Sequence, residues 1–183
     1  MKKFLKQFRK INSEPLDKSN MFWSWIGSFI GITAISYFHL DMLKETDLSL
    51  IIGSFGASAV LVYGAVNSPL SQPRNLIGGH LLSAFVGVTI YKLFPEYIIL
   101  SSALAVSISI LVMQLTLTLH PPGGATALIA VIGSESLHQL GYLYILVPVL
   151  SGSFILLITA IIVNNIPSHR YYPESFIKFK KKH

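Results

Sequence analysis

Between residues 21 and 163 the chain carries three basic side chains, Lys44, Arg74 and Lys92, against five acidic ones, and its apolar stretches follow one another with only short polar breaks. In hydrocarbon every backbone N–H and C=O must be bonded inside the protein, and apolar runs of this length meet that demand as helices. With 52% hydrophobic and 12% charged residues, the expected fold class is all-α, a polytopic membrane helix bundle. The remaining charge gathers at the ends. Residues 1–20 hold six basic groups (Lys2, Lys3, Lys6, Arg9, Lys10, Lys18), and residues 164–183 hold five (Arg170, Lys178, Lys180, Lys181, Lys182). By the positive-inside rule both ends are expected in the cytoplasm, with an even number of crossings of a plasma (inner) membrane. Topology accounts for the net charge of +6, so no nucleic-acid partner is needed.

Three regions follow: a basic amphipathic segment over 1–20, a membrane domain over 21–163, and a basic tail over 164–183. Phe4, Leu5, Phe8 and Ile11 recur at helical spacing among lysines, which suits a helix lying on anionic lipid head groups. The first apolar segment lacks the form of a cleaved signal peptide and is expected to stay in the mature chain. Its Gly27 and Gly31 form a GxxxG spacing that serves close packing in the bundle and permits, without requiring, a homo-oligomer. There is no cysteine, so disulfides and thiolate metal sites are excluded, and no cofactor or metal is expected.

Residues 120–133, HPPGGATALIAVIG, break the pattern of long spans. Two prolines stop the preceding helix, two glycines free the backbone, and the apolar run from Gly124 to Gly133 reaches about 15 Å, half of a bilayer core of about 30 Å. The expectation is a half-helix. Gly56-Ala57-Ser58-Ala59 matches Gly124-Ala125-Thr126-Ala127, with small and hydroxyl residues in register, so residues 48–66 are expected to break in the same way at Gly56. The membrane domain then divides into halves at about 21–94 and 97–163, each a full, a broken and a full segment. An odd number of segments per half makes the repeat inverted, with the two half-helices entering from opposite sides and their amino ends meeting near the midplane.

A helix amino terminus carries unpaired N–H groups and about half a positive charge, so two of them form a site for a small monoanion. The expected ligands are the amides of Gly56, Ala57, Gly124 and Ala125 with the hydroxyls of Ser58 and Thr126. Arg74, in the polar turn over 67–75, reads as a snorkelling anchor or as a ligand for a passing anion. His120 reads either as a guard and proton donor on the cytoplasmic approach or as a cap on the preceding helix. His80 reads as a hydrogen-bonded packing residue ahead of a proton carrier. Residues 97–119 carry a stripe of Ser, Thr and Gln that lines a pathway or bonds between helices.

The stretches SFGASAVLVYG (54–64), SPLSQPRNLIGGHLLSAFVGV (68–88) and HPPGGATALIAV (120–131), with RYYP at 170–173, resemble the HPP family of integral membrane proteins. The resemblance implies a small-anion transporter, because plastid and cyanobacterial members are associated with nitrite transport. It also implies four spans, which six segments match if the half-helices re-enter. The expected function is transport of a small monovalent anion, nitrite first, by a protein that is not an enzyme. The alternatives are a partner-dependent membrane subunit and an intramembrane serine hydrolase using Ser58 with His80 or His120.

Overall fold

Asp17 opens the first helix, its carboxylate accepting the amides of Ser19 at 3.0 Å and Asn20 at 3.1 Å, and α1 runs Lys18–His39 from that cap. A computed structural model describes residues 17–174; residues 1–16 of the amphipathic segment and the lysines of the tail lie outside the described residues, and residues 18–20 of that segment already belong to α1. After α1 come α2 (Glu45–Ala59), prolonged by a π-helical turn (Val60–Gly64), and a 3-10 turn (Pro69–Ser71). Then α3 (Pro73–Leu93), α4 (Ile98–Leu115), α5 (Pro121–Ile132) and the short α6 (Glu135–Leu140) follow. A second π-helical turn (Ile145–Leu150), in which Val147 leaves helical geometry, leads into α7 (Ser151–Asn164). Five segments are long and apolar enough to span a bilayer: Lys18–His39, Glu45–Gly64, Pro73–Leu93, Ile98–Leu115 and Ile145–Asn164. At twelve residues, α5 reaches about 18 Å and falls short, as its prolines and glycines suggested.

The described residues form an all-helical bundle turned inside out relative to a water-soluble one. Phe29 on α1 is 62% exposed, Ile99 and Leu115 on α4 are 85% and 75% exposed, while Ser58, His80 and His120 are fully buried. Apolar side chains outward and hydroxyls inward is the arrangement lipid favours. Both ends of the described chain lie on one face, where Arg170 Nε donates to Asn20 Oδ1 at 2.6 Å. On the opposite face the carboxylate of Asp47, in the first turn of α2, accepts the Ser134 amide at 2.9 Å just beyond α5.

Small residues set the closest helix contacts. Gly27 and Gly31 on α1 face Tyr63; a Cβ at either would lie 2.5 Å or 2.6 Å from its ring or hydroxyl. The GxxxG face is therefore occupied within the chain. On α3 the row Gly79, Ser83, Gly87 meets Gly123 and Ala127 of α5. A Cβ at Gly87 would sit 2.5 Å from the Ala127 carbonyl oxygen and one at Gly123 2.8 Å from the Gly79 carbonyl oxygen. Backbone cannot yield as a flexible side chain can. Gly87→Val is expected to force the helices apart at a cost of about 1–3 kcal/mol, read as a lower unfolding midpoint in detergent. An unchanged midpoint would show that α3 and α5 are free to separate here.

The break expected at Gly56 is absent. Helix α2 passes through Gly53 and Gly56 without interruption, and a Cβ at either position would meet nothing within 4 Å. In lipid no water competes for the backbone, so glycines that would weaken a soluble helix leave this one intact. Its irregularity comes instead at Val60–Gly64, where the ladder widens to π spacing before the polar turn. Two further boundaries differ. Helix α4 stops at Leu115, short of the expected 119, in a turn that holds Leu117 at φ 57°. The last crossing, expected as one helix from about 141, is divided by the π-helical turn at Ile145–Leu150.

Candidate functional site

The second elements of the two halves, α2 and α5, do not meet end to end. They lie flank to flank and antiparallel, with Asp47 beside Ser134, Ser54 beside Thr126 and Ser58 beside His120. The amide donors expected of them are spent. Gly56 and Ala57 sit inside a continuous helix. At the start of α5 the prolines at 121 and 122 have no N–H, and Gly123 donates to the His120 carbonyl at 2.8 Å. Ala125 falls within the helix ladder, and the His120 carbonyl one turn before Gly124 is taken by Gly123. The same prolines that stop the previous helix thus remove the donors a free helix end would offer. Gly56 has open space beside it rather than a neighbour to bond, and Gly56→Ala is expected to add roughly 0.5–1 kcal/mol of helix stability, read as a higher unfolding midpoint in detergent. A lower midpoint would show that Gly56 is packed against something.

What the packing assembles instead is a continuous chain of side chains. Ser54 Oγ lies 2.9 Å from Thr126 Oγ1, which is 2.7 Å from His80 Nδ1. His80 Nε2 is 2.8 Å from Ser58 Oγ, and Ser58 Oγ is 2.9 Å from His120 Nε2. His120 Nδ1 ends the chain on the Leu70 carbonyl at 2.8 Å. No member is more than 3% exposed. Four elements hold them: α2 supplies both serines, α3 His80, α5 Thr126, and the extended residue before α5 supplies His120. Glycine makes the approach feasible, since a Cβ at Gly79 would stand 2.5 Å from His120 Cβ.

The surroundings close the network off. Phe55 places its ring 4.9 Å from that of His80, and its other side packs on Gly152 of α7, where a Cβ would lie 2.4 Å away. Tyr144 donates its hydroxyl to the Thr126 carbonyl at 3.0 Å. Ser54 also reaches the Pro122 carbonyl at 3.1 Å. Ser83, fully buried one turn beyond His80, has no hydrogen-bond partner. Among the described residues no group of three His, Cys, Asp or Glu side chains is placed to hold a metal ion.

Of the residues singled out by sequence, Ser58, Thr126 and His120 come together. Arg74 does not join them: it is exposed at the start of α3 and donates to the Thr116 carbonyl at 2.8 Å, tying α3 to the end of α4. Ser54 was missed, while His80, read as a hydrogen-bonded packing residue or a partner of Ser58, takes the central place. The available signal was spacing: Ser54 is one turn before Ser58 on the same helix face, so a buried Ser58 implies a buried Ser54.

A family model for the HPP transmembrane region matches residues 13–173. The chain belongs to the HPP family. Two transmembrane proteins of Dictyostelium discoideum are similar to this HPP chain. One is 47% identical over 161 residues, covering 86% of the chain and 56% of the relative. The other is 44% identical over 176 residues, covering 93% and 56%. The chain spans about half the length of these curated relatives. No solved structure matches it. The HPP protein is a multi-pass membrane protein, and in place of the four spans the resemblance implied the described residues hold five segments of spanning length with α5 beside them. The histidine of its signature tripeptide enters the buried network, and the two prolines set the start of α5.

Proposed function

We propose that this HPP protein carries a small monovalent anion, nitrite first, across the membrane in which it sits, with Ser54, Ser58, His80, His120 and Thr126 as the polar lining of the route. The observation that carries this reading is the composition of the buried chain: five hydroxyl or imidazole side chains in the middle of a lipid-facing bundle, with no carboxylate among them. Hydroxyl and imidazole N–H donors can replace the hydration shell of an anion, whereas a cation route would need carboxylates or open carbonyls. In the closed arrangement these groups satisfy one another, so an anion enters by replacing their mutual bonds with bonds to itself. The π-helical turns at Val60–Gly64 and Ile145–Leu150 flank the network and supply backbone able to shift register. Taking the Arg170 face as cytoplasmic, by the charge asymmetry of the sequence, places the His120 end of the network toward the cytoplasm and the Ser54 end toward the midplane.

Ser58 beside His120, itself oriented by a carbonyl, also has the outline of a serine nucleophile and its base. Against hydrolysis, the amides around Ser58 are closed in helical bonds, so none faces it as an oxyanion donor. Purified protein that is inert to a fluorophosphonate probe would agree with transport; covalent labelling at Ser58 would favour hydrolysis.

The test is anion flux into proteoliposomes, wild type beside Thr126→Val, with nitrite, nitrate, formate, chloride and a cation control. Saturable nitrite entry reduced about tenfold or more in Thr126→Val is expected, since valine keeps the shape and removes the bonds to Ser54 and His80. Absence of flux for every anion by folded wild type would overturn the reading in favour of a partner-dependent membrane subunit.

A further inference from the structure

From Thr126 to Leu70 the hydrogen-bond chain has one self-consistent assignment of protons. A carbonyl oxygen accepts and never donates, so the contact with Leu70 places a proton on His120 Nδ1. The Nε2 of a neutral His120 is then an acceptor, and its partner Ser58 must donate to it. With its single proton committed, Ser58 faces His80 through a lone pair, so His80 Nε2 carries hydrogen and His80 Nδ1 accepts from Thr126. The Ser54 proton is offered to Thr126 at 2.9 Å and to the Pro122 carbonyl at 3.1 Å. One carbonyl thereby sets both tautomers and points the four hydrogen bonds from Thr126 to Leu70 the same way, toward the 3-10 turn.

The same geometry accepts one additional proton without losing a bond. If it arrives on His120 Nε2, Ser58 Oγ can accept from both imidazoles and turn its own proton to the Ser54 carbonyl, 3.3 Å away on the same helix. The resulting charge has no counter-charge nearby. Helices α4, α5 and α7 and the π-helical turn before α7 carry no charged residue. The charged groups of α2 are Glu45 and Asp47 in its first turn, with Asp47 held at Ser134; Ser54 is about 10 Å further along. Those of α3 are Arg74 at its start and Lys92 at its end, and α1 has Lys18 at its start and His39, which faces Ser151. The other titratable group against the network is Tyr144, bonded to a carbonyl. A buried positive charge in such surroundings must be paired.

We infer that the His80–Ser58–His120 cluster is a proton-carrying site and that the protein moves one proton together with each monovalent anion, the anion being the counter-ion that the protonated cluster lacks. This rests on the transport reading above. The cycle balances. A proton and an anion enter from one face, giving a neutral pair of imidazolium and anion; both leave on the other, and the cluster returns to two neutral imidazoles. No net charge crosses the membrane.

The experiment uses full-length protein in proteoliposomes with an entrapped pH dye and nitrite as the probe, all rates taken above those of protein-free vesicles. In wild type, nitrite entry is expected to carry protons inward, one per anion. An inside-alkaline gradient of one pH unit should drive about tenfold accumulation, and potentials of either sign, set with potassium and valinomycin, should change the initial rate less than about twofold. His120→Gln keeps a donor for Leu70 and an acceptor for Ser58 but cannot hold the extra proton; pH-driven uptake should fall to background while the unfolding midpoint stays near that of wild type. His80→Gln provides the same comparison if the first variant does not fold. Nitrite entry that follows the membrane potential and ignores the pH gradient would overturn proton coupling and leave anion transport standing. Gradient-driven uptake that persists in both folded glutamine variants would remove the histidines as carriers. Absence of any anion flux in wild type would instead remove the transport reading on which the inference rests.

Discussion

Arg170→Ala is expected to produce the largest loss of stability of any single substitution on the Arg170 face, on the order of 3 kcal/mol, because it takes one donor group away from several acceptors at once. Arg170 is 7% exposed. Its Nε donates to Asn20 Oδ1 at 2.6 Å and its Nη1 to Asn164 Oδ1 at 3.2 Å and to the Tyr63 carbonyl at 3.4 Å. Its Nη2 donates to Ser24 Oγ at 2.9 Å and to the Asn20 carbonyl. One side chain thus joins the start of α1, the π-helical turn after α2 and the end of α7. Burial makes the charged form harder to hold and lowers the Arg170 pKa, with Asp17 opposing, yet guanidinium remains ionised at any physiological pH. Without it several buried acceptors lose their donors, each at about 1–3 kcal/mol. Lysine offers one point charge in place of a planar fork, so Arg170→Lys should recover only part of the loss. Thermal unfolding in detergent measures both variants. A midpoint for Arg170→Ala within a degree or two of wild type would show that water replaces the guanidinium at no cost.

Ser58→Ala is expected to have the largest effect on flux. Ser58 Oγ is the only atom bonded to both imidazoles, and alanine would leave the Nε2 atoms of His80 and His120 facing a methyl group. Stranding a buried donor and a buried acceptor costs about 1–3 kcal/mol each, and if the network lines the route the flux of folded protein should fall at least about tenfold. Ser58→Thr retains a hydroxyl that can also reach the carbonyl one turn back, as Ser58 itself does, and should retain most of the flux. Initial rates in proteoliposomes, normalised to folded protein, decide the matter. A folded Ser58→Ala protein that transports at the wild-type rate would remove the network from the pathway. Arg170→Ala probes stability alone, since Arg170 lies outside the buried histidine chain.

The membrane class, the helical content, the short α5 and the residues Ser58, Thr126 and His120 were legible in the sequence because each follows from local chemistry. Long uncharged apolar runs must become helices in lipid, Pro-Pro must end one, and a repeated small-hydroxyl motif marks equivalent surfaces. The location of the break in the α2 segment was not legible. Gly53 and Gly56 would weaken a helix in water, but whether a glycine interrupts a membrane helix depends on what packs beside it, and nothing crowds these two. Nor does a motif disclose whether two helices meet by their ends or by their sides. That was decided by α3, whose Gly79, Ser83 and Gly87 let α5 come down alongside it and bring His80 against Ser58 and Thr126. By itself the sequence determined the class of the protein, the short α5 and part of its polar interior, through composition and period along the chain. Only the tertiary structure decided which of them bond to one another, because a hydrogen bond depends on separations of a few ångströms between elements far apart in sequence, such as Ser58 and His120, and these are set by packing.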